Sequence, residues 1–191
     1  MEPIAIFTTG GTIDKLYFDA KGGYEVGAPV VRRVLENARA SADITVRELL
    51  RKDSLDMTEL DRAEIRAAVA AAGQRRIIVT HGTDTMVETA RALQGLADRV
   101  IVLTGALQPG RFTDSDAPFN LGMALAAVQL LPPGVYIAAS GRGQRALTTR
   151  RRWASTPTAR PAPAPRPSAT ARSRRGPGSA RRPSCRRAAG G

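Results

Sequence analysis

Two short runs of this 191-residue chain hold hydroxyls that could do chemistry: Thr9-Gly10-Gly11-Thr12-Ile13 and His81-Gly82-Thr83-Asp84-Thr85. The first run follows Ile4-Ala5-Ile6-Phe7, an apolar stretch that reads as a buried strand. A strand ending in Thr-Gly-Gly-Thr puts two hydroxyls and bare backbone where a parallel sheet opens its ligand crevice. A threonine there is a candidate nucleophile, provided that a neighbour takes its proton. The second run adds two hydroxyls and a carboxylate at a helix start, where spare backbone N–H groups favour anions. With Thr12 on the neighbouring loop, a nucleophile, polar anchors and an oxyanion site would share one crevice. Each run also has an ordinary reading. Threonines in tight turns bond their own backbone, and Thr83, Asp84 and Thr85 are common capping residues. A histidine in the place of His81 is structural rather than acid or base at roughly two to one.

The elements that must position these runs follow from periodicity. Apolar strands are expected at Ile44–Leu50, Ile77–Thr80, Val100–Thr104 and Val135–Ala139, the last strand of the chain. Helical stripes separate them. Pro29 suits a first helical turn with Val30, Val31, Val34, Leu35 and Ala38 along one face. Thr58 with Asp61 has capping-box spacing ahead of Ile65, Ala68, Val69 and Ala72, with Gly73 as the stop. Helices are expected after Thr85, carrying Met86, Val87, Ala90 and Leu93, and from Pro118 to Leu131. The segment from Asp14 to Gly27 reads as a polar, glycine-bearing loop. Alternating buried strands and amphipathic helices indicate an α/β fold with a mostly parallel sheet flanked by helices.

Composition splits the chain. The formal charge is +12, yet residues 1–141 sum to −2 and residues 142–191 to +14. From residue 145 onward Arg, Ala, Pro, Thr, Ser and Gly dominate. A segment so poor in large apolar residues cannot offset the entropy of ordering itself, so a disordered tail is expected. The same six residue types dominate a GC-rich gene read out of frame. The expected organisation is an α/β domain at 1–143 and a basic tail at 144–191. Cys185 is the only cysteine, which excludes an intrachain disulfide and disfavours a Cys-based metal site. No apolar run approaches the roughly 20 residues that cross a bilayer. No secretory leader is visible at the N-terminus, so the cytoplasm is expected.

The two runs together resemble the signature motifs of the bacterial-type L-asparaginase family. The likeness extends through Tyr24-Glu25-Val26-Gly27, Asp53-Ser54-Leu55-Asp56-Met57, Thr104-Gly105-Ala106 and Asp116-Ala117-Pro118-Phe119-Asn120, over roughly residues 3–142. The resemblance implies that Thr12 is a nucleophile that attacks a side-chain amide and forms an acyl-enzyme. It implies that Tyr24, on a mobile lid loop, helps to activate Thr12, and that Thr83 is the second catalytic threonine. Asp84 would hold the substrate's α-ammonium and support proton transfer. Ser54 would bind the α-carboxylate, and backbone at Ala106 would meet the scissile amide, with Gly11 completing the substrate-binding set. The implied reaction converts L-asparagine and water to L-aspartate and ammonia, with no metal or cofactor. L-glutamine is the competing substrate, and Leu55 departs from a polar residue common beside that serine, a change that bears on the preference between the two. Homo-oligomers are general in the family.

Two departures accompany the likeness. The family's second domain is not matched, so a short, single-domain form resembling the N-terminal domain is the nearer comparison. The family also uses a lysine beyond the strand that Val135–Ala139 resembles, whose ammonium depresses the pKa of the threonine network. The three lysines, Lys15, Lys21 and Lys52, all lie upstream. Arg142 or Arg145 adds charge there but cannot accept a proton at physiological pH. Impaired turnover is expected, with the tail replacing the native ending. The alternative is an inactive asparaginase-like protein whose arginine-rich tail adheres to nucleic acid nonspecifically, with affinity falling as salt rises. A dinucleotide-binding reading is disfavoured, because the paired glycines are adjacent and no Gly-x-Gly-x-x-Gly follows the first strand.

Overall fold

The structure is a computed structural model that describes residues 2–18 and 23–146. The basic tail from residue 147 onward, expected to be disordered, lies outside the described residues. Five parallel strands form the body of one sheet: β1 (Ile4–Gly10), β4 (Ile44–Lys52), β5 (Arg76–Thr80), β6 (Val100–Thr104) and β7 (Gly134–Ala139). The helices are α1 (Val31–Asn37), α2 (Glu59–Ala71), α3 (Met86–Ala92) and α4 (Ala117–Leu130). The expected α/β architecture is therefore present, with bounds within a few residues of those read from the sequence.

Strand residues alternate between two apolar layers, as the period of two requires. Ile4, Ile6, Ile78, Val102 and Tyr136 pack with Val31 and Val34 of α1 and with Leu121, Ala124 and Val128 of α4. Ala5, Phe7, Ile77, Val79, Ile101, Leu103 and Ile137 pack with Ile65 and Val69 of α2 and with Met86, Val87, Ala90 and Leu93 of α3. Both faces of the sheet are thus covered, which is why its strands are continuous apolar runs. The capping box of α2 forms as its spacing foretold: Thr58 Oγ1 accepts from the Asp61 backbone N–H, and the Asp61 carboxylate accepts from that of Thr58.

Strand order is β4-β1-β5-β6-β7, with a further short strand, β8 (Arg142–Arg145), beyond β7. The chain leaves β1 toward one face of the sheet through α1, and leaves β5 toward the other through α3. The loops after β1 and β5 therefore part, and that switch point is where a doubly wound sheet opens its ligand crevice.

Two elements depart from expectation. The segment read as a loop from Asp14 to Gly27 contains an antiparallel hairpin, β2 (Lys15–Phe18) and β3 (Gly23–Val26), in which Tyr17 faces Tyr24 in the register. Strand β7 is not the last. The chain reverses through Ser140 and Gly141, at φ 49° and 74°, and β8 (Arg142–Arg145) pairs antiparallel with β7. Two consecutive left-handed residues match the twist of a two-residue hairpin turn. The expected boundary at 143/144 falls inside this strand, and Ala146 beyond it is buried against the α2 and α3 layer.

Candidate active site

The C-terminal ends of β1, β4, β5 and β6 carry all the residues singled out by sequence except Tyr24, which lies on β3. At the end of β1, Gly10 and Gly11 adopt φ 92° and 82°, a region that other residues enter only with strain. They hold the chain against its neighbours. The Gly11 N–H donates to Lys52 O on β4 at 2.8 Å, and a side chain on Gly11 would collide with the backbone of His81 and Gly82 after β5. The Ser54 side chain is pressed against Gly82, and the His81 carbonyl lies against Gly105 after β6. Four strand ends are thereby packed backbone to backbone, and Thr12, Ser54, Thr83, Asp84 and Ala106 come to one edge of the sheet.

The structure separates the threonines of the two runs by what their hydroxyls do. Thr9 is fully buried and donates to Thr80 O at 2.9 Å, tying β1 to β5. Thr85 donates to Ser54 O at 2.7 Å, tying the β5 loop to the β4 loop. Both are spent on architecture. Thr12 and Thr83 are half-buried, and neither hydroxyl is engaged in a hydrogen bond among the described residues. Asp84 is exposed beside them, and Tyr24 is 55% exposed on the hairpin. Ser54 and Ala106 are buried, and Ser54 Oγ has no partner among the described residues. The capping reading of the second run is not realised: α3 starts after Thr85 without a side-chain cap.

His81 is structural, the commoner of its two readings. It is fully buried, and burial pushes its pKa down to about 4, so the ring is neutral at physiological pH. A carbonyl only accepts, so Nδ1–H donates to Gly82 O at 2.8 Å, and Nε2 accepts from the Thr89 hydroxyl at 2.8 Å. The ring therefore braces the peptide that precedes Thr83.

One residue of the 116–120 run, to which the sequence reading assigns no role of its own, joins this edge. Asn120 on α4 is buried, and its amide nitrogen donates to Gly105 O at 2.9 Å and to Asp116 Oδ2 at 2.8 Å. Its amide oxygen accepts from the Ser140 N–H at 2.7 Å, so one side chain fastens β6, α4 and the turn after β7. A polar residue in the first turn of α4, on the face that also carries Ala117, Leu121, Ala124 and Val128, was the available signal.

The described lysines serve the β4 side. Lys15 Nζ lies 2.6 Å from Asp53 Oδ2, and Lys52 Nζ lies 2.7 Å from Asp61 Oδ1. Lys21 lies outside the described residues. Among the described residues no cluster of His, Cys, Asp and Glu is arranged to hold a metal ion. A cavity of about 460 Å³ lies between α1 and residues 110–118, where the chain from β6 enters α4.

A parallel sheet of order β4-β1-β5-β6-β7 with two unengaged hydroxyls at its switch point defines an α/β protein with a strand-end crevice. The asparaginase N-terminal family profile matches residues 3–175, and the chain belongs to that family. It is 32% identical over 141 residues to the L-asparaginase of Thermococcus kodakarensis, covering 71% of this chain and 43% of that one. It is 30% identical over 158 residues to a glutamyl-tRNA(Gln) amidotransferase subunit of Methanococcus vannielii, covering 74% and 35%. Among solved structures, a probable cytoplasmic L-asparaginase from Campylobacter jejuni superposes with TM-score 0.68 at 30% identity, covering 80% of this chain and 50% of that one. The chain thus spans less than half the length of the curated relatives it matches. Among the described residues no helix is long and apolar enough to cross a membrane.

Proposed function

We propose that this chain carries the threonine site of an L-asparaginase, and that its turnover is impaired because no lysine stands beyond β7. The observation that supports the reading best is the division of hydroxyls. Of the four threonines in the two motifs, the pair the family resemblance assigns to catalysis, Thr12 and Thr83, is the pair without structural bonds. In this reading Thr12 Oγ attacks the side-chain amide carbon of L-asparagine while its proton passes through the Tyr24 and Thr83 network. The C–N bond then breaks, and the leaving nitrogen takes up a proton and departs as ammonia. Water next cleaves the Thr12 ester to release L-aspartate. Asp84, exposed at the mouth, is the carboxylate for the substrate's α-ammonium. Ser54, Gly11 and Ala106 line the amino-acid end.

Arg142 begins β8, antiparallel to β7, and supplies charge without a proton-accepting group. L-glutamine is the alternative substrate, and the match to an amidotransferase chain is in keeping with an amide substrate of either length. We assign the cytoplasm as compartment and a homo-oligomer as the working form; a lone cysteine is consistent with the first.

The test is ammonia release from L-asparagine by the chain, by Thr12→Ala, and by a version whose coding DNA is restored to the alternative frame after codon 138. Slow release by the chain, none by Thr12→Ala and faster release by the restored version support the reading. A Thr12→Ala protein as active as its parent refutes the nucleophile. A restored version no faster than the parent refutes the account of the defect.

A further inference from the structure

Asp14, two residues past Thr12, is a buried carboxylate that the reaction above does not use. It is 1% exposed. Its N–H donates to Gly11 O at 3.1 Å, and its carbonyl accepts from the Gly27 N–H at 2.8 Å, just past β3. Its side-chain Oδ1 accepts from the Val30 N–H at 2.9 Å, at the entry to α1. One residue therefore joins the turn that carries Thr12, the exit of the hairpin that carries Tyr24, and the start of α1. Its second oxygen, Oδ2, is buried with no partner among the described residues. A buried polar atom left so is costly when neutral and more costly when charged.

We propose that Asp14 is a positioning residue for Thr12: its backbone ties the Thr12 turn to the exit of the Tyr24 hairpin, its carboxyl pins the start of α1 to that junction, and the junction loosens when the carboxyl loses its proton. The proposal deepens the asparaginase reading, since the role of Tyr24 rests on that reading. Three charged groups face Asp14. Glu48 on β4 opposes its ionisation, while Arg111 on the β6–α4 segment and Arg51 on β4 favour it. Burial outweighs all of them and the Val30 bond, raising the carboxyl to about 6. Ionised Asp14 is stabilised by any opening of the hairpin base that lets water reach Oδ2, whereas the neutral acid gains far less from it. An open base with an ordinary carboxyl would shift the opening equilibrium by about a hundredfold between pH 4 and pH 8.

The test is amide hydrogen exchange at Gly27 and Val30 across that pH range, corrected for intrinsic rates, in the full chain and in Asp14→Asn. The amide introduced by that substitution keeps an acceptor for the Val30 N–H but does not titrate. The expected result is protection that falls between about pH 4 and pH 6 and then levels off in the parent, and that stays level throughout in the variant, with core amides of β5 unchanged in both. Level protection in the parent overturns the proposal, as does an equal fall in the variant. The readout needs no turnover. An inert frame-restored version beside pH-dependent protection in the chain refutes only the asparaginase reading, and an active chain with level protection refutes only the role of Asp14.

Discussion

Gly11 and Gly82 lie so close, backbone against backbone, that no Cβ fits on Gly11. That contact is what brings Thr12 and Thr83 to one edge, because each stands one residue beyond a glycine of the pair. Gly11→Ala introduces a collision and strains a φ of 82° at once. The expected cost is about 3 kcal/mol or more of stability, read from denaturant unfolding. Gly122, inside α4 with open space at its Cβ position, is the control. Its replacement by alanine is expected to stabilise the fold by about 0.5–1 kcal/mol. A Gly11→Ala protein as stable as its parent removes the basis for the shared site.

His81 makes stability fall on acidification. Burial lowers its pKa in the fold to about 4 from 6.5, so the charged ring is disfavoured in the native state. The contribution is fully present above pH 6.5 and is lost as pH falls through 4, amounting to about 3 kcal/mol at most. Thermal unfolding of His81→Gln across pH 4–7 should show a flatter profile than the parent. A parent curve as flat as that of the variant contradicts a neutral buried ring.

Asp14 has the opposite sign. Its pKa is raised from 3.8 to about 6, so its contribution is present below pH 3.8 and is lost as pH rises through 6. Asp14→Asn should therefore raise the melting temperature at pH 8, by an equivalent of up to about 3 kcal/mol, and leave it near the parent value at pH 4. A variant that melts lower than the parent at pH 8 shows that the ionised carboxylate is stabilising instead.

Asn120→Ala leaves Gly105 O without its donor, Asp116 Oδ2 without one of its partners, and the Ser140 N–H without its acceptor. The expected loss is about 2–4 kcal/mol, with weakened protection of the β7–β8 hairpin in hydrogen exchange. Unchanged exchange at Ser140 indicates that the hairpin is held by strand pairing alone.

The sequence by itself determined the strands and the local signals around them. Ile4–Phe7, Ile77–Val79 and Val100–Leu103 are continuous apolar runs because both sheet faces are covered, and a chain shows that directly. The Thr58–Asp61 capping box was legible for the same reason: its partners lie three residues apart. What the tertiary structure alone decided is which hydroxyls remain available. Thr9 is spent on an oxygen 71 residues away and Thr85 on one 31 residues away, across strands whose order no local pattern encodes. Strand β8 and the β2–β3 hairpin were hidden likewise, because each gains its stability from a partner strand rather than from an apolar run of its own. The burial of Asp14 belongs with these, since an aspartate in a polar stretch reads as exposed until the fold closes over it.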